Sequence, residues 1–388
     1  MRRLLSLLAL PLLLAAPGCE APTCDPGDLC NWFGTPGEAG VSVDGTHRLD
    51  AKTFWVVDLN FSPTDGAPVL MDWNNHRIIT LDESESIVTL TGVAGELGDG
   101  PPGPALDAQW NHPTDVDWRS DGSLVIAAWH NSRVVALDPS MQEVEFLAGT
   151  GGRDFSGDGG PATDAVLDLP CGVRVGDDDS IYLADMANQR VRRIAPDGTI
   201  DTVAGNGEHG FNGDGALLET SLASPALQRA EPAFKMDWDL DGTMLMADTH
   251  NGRIRRLDFD AGTIETVAGM GETPAGSDNG TGCTTGCGYG GDGGPATEAM
   301  LNYPADVAVA PDGTVYIADA YNHCIRAVDT DGTIATFAGI CGEPGNEGDF
   351  GPAGDALLNT PFGVEVGPDG AVYIADTYNS RVARVEPL

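Results

Sequence analysis

The residues whose chemistry is hardest to replace are seven histidines and eight cysteines in a chain of 388. Four histidines, His76, His130, His250 and His323, each flank an asparagine in one recurring setting. The asparagines are Asn75, Asn131, Asn251 and Asn322, and Asn188 and Asn379 return in the same setting without a histidine. Imidazoles brought together from separate segments would suit zinc, which takes three nitrogen ligands plus water in catalytic sites. Histidine and asparagine also suit tight turns, so a turn-building role competes with ligation. Asp158, Asp214 and Asp292 each lie in a Gly-Asp-Gly phrase. Carboxylates combined with loop carbonyls are calcium ligands, so calcium is one reading there. The favoured one is a glycine turn that packs a leucine beneath the loop. Residues 237–248 place acids at positions 1, 3, 5 and 12 of a calcium-loop pattern, with glycine at 6. Alignment within the chain instead makes Asp241-Gly242 a hairpin turn and Asp248 a strand end. No nucleophile elbow, phosphate-cradling loop or dinucleotide fingerprint is present, so no catalytic residue is assigned.

The cysteines point to an oxidising compartment. Cys24 with Cys30, and Cys283 with Cys287, are spaced for small loops, and Cys324 and Cys341 flank one hairpin. Cys171 has no evident partner. Zinc at Cys283 and Cys287 would lack a second ligand pair nearby. The chain opens MRRLLSLLALPLLLAAPGC, with Arg2 and Arg3 before an apolar run, Leu4 to Leu14, too short to span a bilayer. This segment resembles a bacterial lipoprotein signal, although Ala16 stands where that family more often has leucine. The resemblance implies a signal peptide over residues 1–18, lipidation of Cys19, and an anchor or linker over residues 19–30. Glu20 after the cysteine favours onward transport to an outer membrane. The expected location is therefore extracytoplasmic, anchored in the outer membrane or facing the periplasm; secretion with a structural Cys19 is the alternative. Membrane contact would run only through the N-terminal lipid.

Composition narrows the partners. The chain is 41% hydrophobic and 20% charged, with a formal net charge of −39. That is ample for a packed core, and a surface so acidic repels phosphate backbones, which argues against nucleic acid. The 52 glycines and 26 prolines, without a collagen period, indicate many short strands joined by turns.

The elements that position these residues come from a repeat. A strand ending in Ala-Asp is followed by x-x-Asn-x-Arg and a further strand, six times over. The asparagines are separated by 56, 57, 63, 71 and 57 residues. Ala128 replaces the aspartate in one copy and Cys324 the arginine in another. Asp-Gly turns such as Asp312-Gly313 and Asp369-Gly370 flank this core between alternating apolar runs, the signal of β-hairpins. Each unit therefore reads as four short antiparallel strands, and six such units predict an all-β, six-bladed β-propeller over residues 31–388. The last copy stops after its third strand, and Asn31 to Glu38 reads like the missing fourth. The N-terminus is thus expected to complete the last blade and remove a free edge.

The phrases VYIADAYNHCIRAVD at 315–329 and VYIADTYNSRVARVE at 372–386 resemble the NHL repeat family. The resemblance implies blades arranged radially around a central channel. The six Asn turns should share one face with the blade-to-blade crossovers, which places a ligand near that channel mouth. The repeated Asp and Arg are expected to be architectural, paired through charge-assisted hydrogen bonds. The insertion at about 270–292 is a further recognition element or a tolerated loop. The function expected is non-catalytic binding or scaffolding by a monomer, with a protein, peptide or glycan of the cell envelope as ligand. No cofactor is assigned; calcium and zinc stay open. The alternative is a metal-dependent lyase or hydrolase resembling peptidyl-amidating lyases, which are histidine–metal propellers of this kind.

Overall fold

The computed structural model describes residues 24–224, 231–271 and 289–386. The signal segment, Cys19, Cys283 and Cys287 lie outside the described residues. Six antiparallel sheets stand around an axis. Their innermost strands are Val56–Phe61, Pro113–Trp118, Pro170–Val175, Met236–Trp238, Pro304–Val309 and Gly363–Val366, in blades 1 to 6. Each packs beside the next, and the sixth returns to the first, so the ring is closed.

Closure uses the N-terminus as the sequence predicts. Asp28–Phe33 pairs with Arg381–Val385 and supplies the fourth strand of blade 6. Its final glycine carries the proof. Gly92, Gly149, Gly205, Gly269 and Gly339 follow the fourth strands of blades 1 to 5 with positive φ. A Cβ on any of them would lie 2.1–2.7 Å from the carbonyl oxygen of the residue after the turn asparagine. Gly34 makes the same approach to Ser380, at 2.6 Å. Only glycine tolerates both that backbone and that contact.

Two details differ from the sequence expectation. Five of the six sheets have five strands, because the crossover adds a two-residue outermost strand such as Gly103–Pro104 or Gly160–Pro161. The extra strand covers the ladder edge that four strands would expose. The arginine partners also differ. In blades 1 and 6 the arginine two residues after the asparagine reaches the strand-end carboxylate: Arg77 Nε to Asp72 at 2.8 Å and Arg381 Nε to Asp376 at 2.7 Å. In blades 3 and 4, Arg190 and Arg253 instead donate to backbone carbonyls and lie over Phe155 and Phe211. The carboxylate partner there is two residues further on: Arg192 with Asp185 at 3.5 Å and Arg255 with Asp248 at 2.9 Å. Blade 5 does the same with Arg326 and Asp319, which leaves Cys324 free to bond Cys341. Cys24 and Cys30 are also joined in a disulfide, and Cys171 is a buried free thiol.

The aspartates weighed as calcium ligands complete these braces. Asp158 pairs with Arg192 at 2.6 Å and Thr202 at 2.7 Å, and Asp214 with Arg255 at 3.0 Å and Thr266 at 2.9 Å. Asp292 pairs with Arg326 and, at 2.7 Å, with Thr336. The occupant beside each carboxylate is a guanidinium. Blade 2, lacking the strand-end acid, borrows Asp99 from its crossover for Asn131 and Arg133.

Candidate functional site

Each strand-end turn is one turn of 3₁₀ helix closed by a residue in the left-handed region: His76, Ser132, Gln189, Gly252, His323 and Ser380. The turn's geometry assigns its residues to different directions. The asparagine turns inward to the brace; Asn75, Asn188, Asn251, Asn322 and Asn379 each donate to their strand-end carboxylate at 2.8–2.9 Å. Asn131 donates to the Gly98 carbonyl at 2.8 Å. The six asparagines expected to face a ligand are therefore bracing groups, and five of them are buried. The residue before each asparagine faces the channel mouth instead. In this ring stand Asn74, His130, Ala187, His250, Tyr321 and Tyr378, each half-buried. Their backbone N–H groups all donate, at 2.9–3.1 Å, to the segment leading into the inner strand. One backbone thus presents four kinds of side chain at six places, with histidine and tyrosine each used twice.

The ring has two unlike sectors. Across blades 6, 1 and 2, aromatic rings form a continuous arc. Tyr378 stacks on Trp55 with centroids 4.7 Å apart, Trp55 on Trp73 at 5.9 Å, and Trp129 on His130 at 3.9 Å; Trp73 and Trp129 meet at 5.5 Å. Three imidazoles gather beside this arc. His112 lies edge-on to His76 and His130, with centroids at 4.5 and 5.0 Å. Its Nδ1 is 3.1 Å from Nδ1 of His130 and its Nε2 is 3.0 Å from Asn74. Burial, reinforced by its imidazole neighbours, pushes His112 down to about 3. Burial, with help from Arg153, pushes His130 down to about 4, and burial alone lowers His76. All three are neutral near pH 7 and available as donors or acceptors.

Across blades 5 and 6 the groups are phenolic. Residues inserted ahead of the inner strand of blade 4 bring Glu231 to Tyr321 and, at 3.0 Å, to Tyr378. Burial and the Glu231 carboxylate hold both phenols well above their ordinary range. Tyr303 stacks on Tyr321 at 4.3 Å.

Of the four histidines singled out by sequence, the structure joins His76 and His130 through His112. It places His250 near His209 and Tyr303, with centroids 5.7 Å away in each case, and has His323 Nδ1 accept the Thr360 N–H. Among the described residues, no group of three or more His, Cys, Asp or Glu is arranged to hold a metal ion. Nor is any described helix long and apolar enough to cross a membrane.

Below the mouth, two levels of inner-strand side chains fill the channel. The upper level holds Asp58, Asp115, Lys235 and Asp306; the lower holds Asp117, Arg174, Asp237 and Glu365. Arg174 donates to both oxygens of Asp115 at 2.9–3.0 Å and lies 3.4 Å from Asp237. Lys235, fully buried, lies 2.9 Å from Asp58. Burial opposes its charge, but Asp306 and Asp58 outweigh burial and raise its pKa. Sequence reasoning passed over His112, Glu231, Lys235 and the inner-strand acids. The available signal was positional: acids recur at one phase of the inner strand, at Asp58, Asp115 and Asp306.

Comparison with known proteins agrees with this architecture. The Teneurin NHL domain family matches residues 214–329. Teneurin-m of Drosophila melanogaster is 30% identical over 288 residues, covering 68% of this chain and 10% of that protein. SUPPRESSOR OF QUENCHING 1 of Arabidopsis thaliana is 29% identical over 302 residues, covering 76% and 27%. The human NHL repeat-containing protein 2 is 25% identical over 293 residues, covering 67% and 37%. The chain thus spans well under half the length of each of these relatives. Among solved structures, an auxiliary nutrient binding protein from Bacteroides ovatus superposes with a TM-score of 0.62 at 15% identity, covering 93% of this chain and 76% of its own, a likeness of fold. The chain is an NHL-repeat six-bladed β-propeller.

Proposed function

We propose that this NHL-repeat propeller is an extracytoplasmic binding protein that holds a peptide, protein or glycan segment at the mouth on the turn face, without transforming it. The observation that carries this reading is the asymmetry of the mouth ring. One backbone position, fixed identically in six blades, bears Asn74, His130, Ala187, His250, Tyr321 and Tyr378. A purely structural ring has no need of such variety, whereas a single ligand bound on a sixfold scaffold does. Neutral imidazoles, phenols and amides beside aromatic rings match a ligand that is polar and has apolar faces. That the Bacteroides ovatus propeller is an auxiliary nutrient binding protein is in keeping with a binding use of the fold. The disulfides Cys24–Cys30 and Cys324–Cys341 support residence outside the cytoplasm. Anchoring through a lipid on Cys19 is part of the same proposal.

The test is to probe peptide and glycan arrays with the mature chain, then repeat with His130→Ala and Tyr378→Ala. Binding of one class that drops at least tenfold in both variants, with unchanged melting temperature, is the expected result. Binding that survives both substitutions would move the site elsewhere. A stoichiometric transition metal lost with His112→Ala would replace this reading with metal-dependent lyase or hydrolase chemistry.

A further inference from the structure

We propose that the axis of this propeller is a cation seat and that Lys235 is its built-in occupant. The side chain leaves blade 4, crosses the channel and ends among oxygens from three other blades. Its Nζ lies 2.9 Å from Asp58 Oδ2 and 3.0 Å from the Val57 carbonyl in blade 1. It lies 3.6 Å from Asp306 Oδ2 in blade 5 and 3.3 Å from the Phe362 carbonyl in blade 6. Two carboxylates and two carbonyls, all oxygen and carrying two negative charges, are the donor set of a hard metal cation. An ammonium fills it here.

The surroundings are shaped for close approach across the axis. At the equivalent phase, blade 6 carries Gly363, where a Cβ would stand 2.8 Å from the Val57 carbonyl oxygen and 3.1 Å from the Asp58 Cα. Blade 3 carries Gly172, where a Cβ would stand 3.2 Å from the Lys235 Cα. Glycine at both places lets the backbones that supply the oxygens close on the lysine. Apart from Lys235, the hydrogen bonds to the two carboxylates among the described residues come from backbone N–H groups: Leu59 on Asp58, and Val307 and Val364 on Asp306. Asp58 and Asp306 are buried, and a buried carboxylate without a cation is strongly disfavoured. A cation here keeps both carboxylates ionised where burial favours their protonation, and supplying it from the chain has two consequences. The native protein needs no free cation on its axis. The channel is closed directly beneath the mouth, so a ligand has the turn face alone. The inference does not depend on what that ligand is.

The test is Lys235→Ala in the full chain, melted in EDTA, in millimolar CaCl2 and in KCl of equal ionic strength. The wild type is expected to melt at one temperature in all three. Lys235→Ala is expected to melt lower in EDTA and to regain about 5 °C or more in CaCl2, saturably, as a ligand bound only by the native state does. Adding Asp58→Asn and Asp306→Asn should abolish that gain. If Lys235→Ala does not accumulate folded, refolding from urea with and without CaCl2 reads the same property, and recovery only with calcium is expected. A folded Lys235→Ala indifferent to CaCl2, refolding in neither buffer, or a wild type that responds as strongly as the variant would each overturn the proposal.

Discussion

The outer braces and the channel mouth are made by the same six turns, yet they obey opposite rules. At the brace, five of the six blades keep one arrangement, a buried carboxylate held by asparagine and guanidinium, while the residue that supplies the guanidinium changes. Arg77 and Arg381 serve in blades 1 and 6, Arg192, Arg255 and Arg326 in blades 3 to 5, and Asp99 stands in for the missing acid of blade 2. At the mouth, one residue earlier in the turn, the backbone is constant and the chemistry varies around the ring, from amide and imidazole to methyl and phenol. A function repeated around a ring is structural, because each blade needs it. A function concentrated in some blades is recognition, because a ligand has no sixfold symmetry.

This contrast breaks first if the braces are not what hold the blades. Arg381→Ala removes the guanidinium that pairs with buried Asp376 and also frees Asp349. The expected loss is about 3–5 kcal/mol in urea unfolding, the cost of orphaning a buried carboxylate, with ligand binding by the folded fraction unchanged. Blade 5 offers the next test, because there a disulfide replaces the first arginine. Replacing Cys324 and Cys341 together by serine opens a link between residues 17 apart and should cost about 3 kcal/mol.

Acid titration separates the two regions by sign. The depressed His112 and His130 cannot be protonated in the folded mouth until pH falls well below 6.5, whereas the unfolded chain protonates there. The unfolded state then binds more protons, so stability present above pH 6.5 is lost as pH falls toward 4 and 3. Asp185 in the blade 3 brace is pushed up to about 7 by burial. Its stabilising protonation is complete below the ordinary carboxylate pKa and is lost as pH rises from about 4 through 7. His112→Gln with His130→Gln should flatten the acid loss in urea midpoints measured against pH, and Asp185→Asn should flatten the opposite slope. Identical pH profiles in all three proteins would erase the distinction.

Smaller effects sharpen it. The blade 2 acid is half exposed, with Asp99 at 48% against 0% for Asp376. Asp99→Ala should therefore cost about 1 kcal/mol, visible as a small shift in melting temperature. Tyr378→Phe keeps the ring that stacks on Trp55 and removes only the hydroxyl on Glu231. Stability should change by about 0.5–1 kcal/mol, while ligand affinity falls measurably.

Much of the fold was legible because it rests on local chemistry repeated six times. Asp-Gly pairs set the hairpins, and the strand after each one alternates with period two. Gly34 follows the N-terminal strand as Gly92 follows the fourth strand of blade 1, which is why ring closure could be read from the chain. Period two also explains the misassigned arginines. Arg190 and Arg192 lie on the same face of one strand, so spacing alone cannot say which of them reaches Asp185. The mouth and the axis needed the assembled ring. His112 precedes the inner strand of blade 2 and meets His76 only because blades 1 and 2 stand side by side. Lys235 meets Val57 across 178 residues and across the width of the channel. The sequence by itself determined the blades, their number and their closure, since each follows from turns and alternation within a few residues. Only the tertiary structure decided which side chains converge, because convergence depends on the radius and phase at which six separate strands meet one axis.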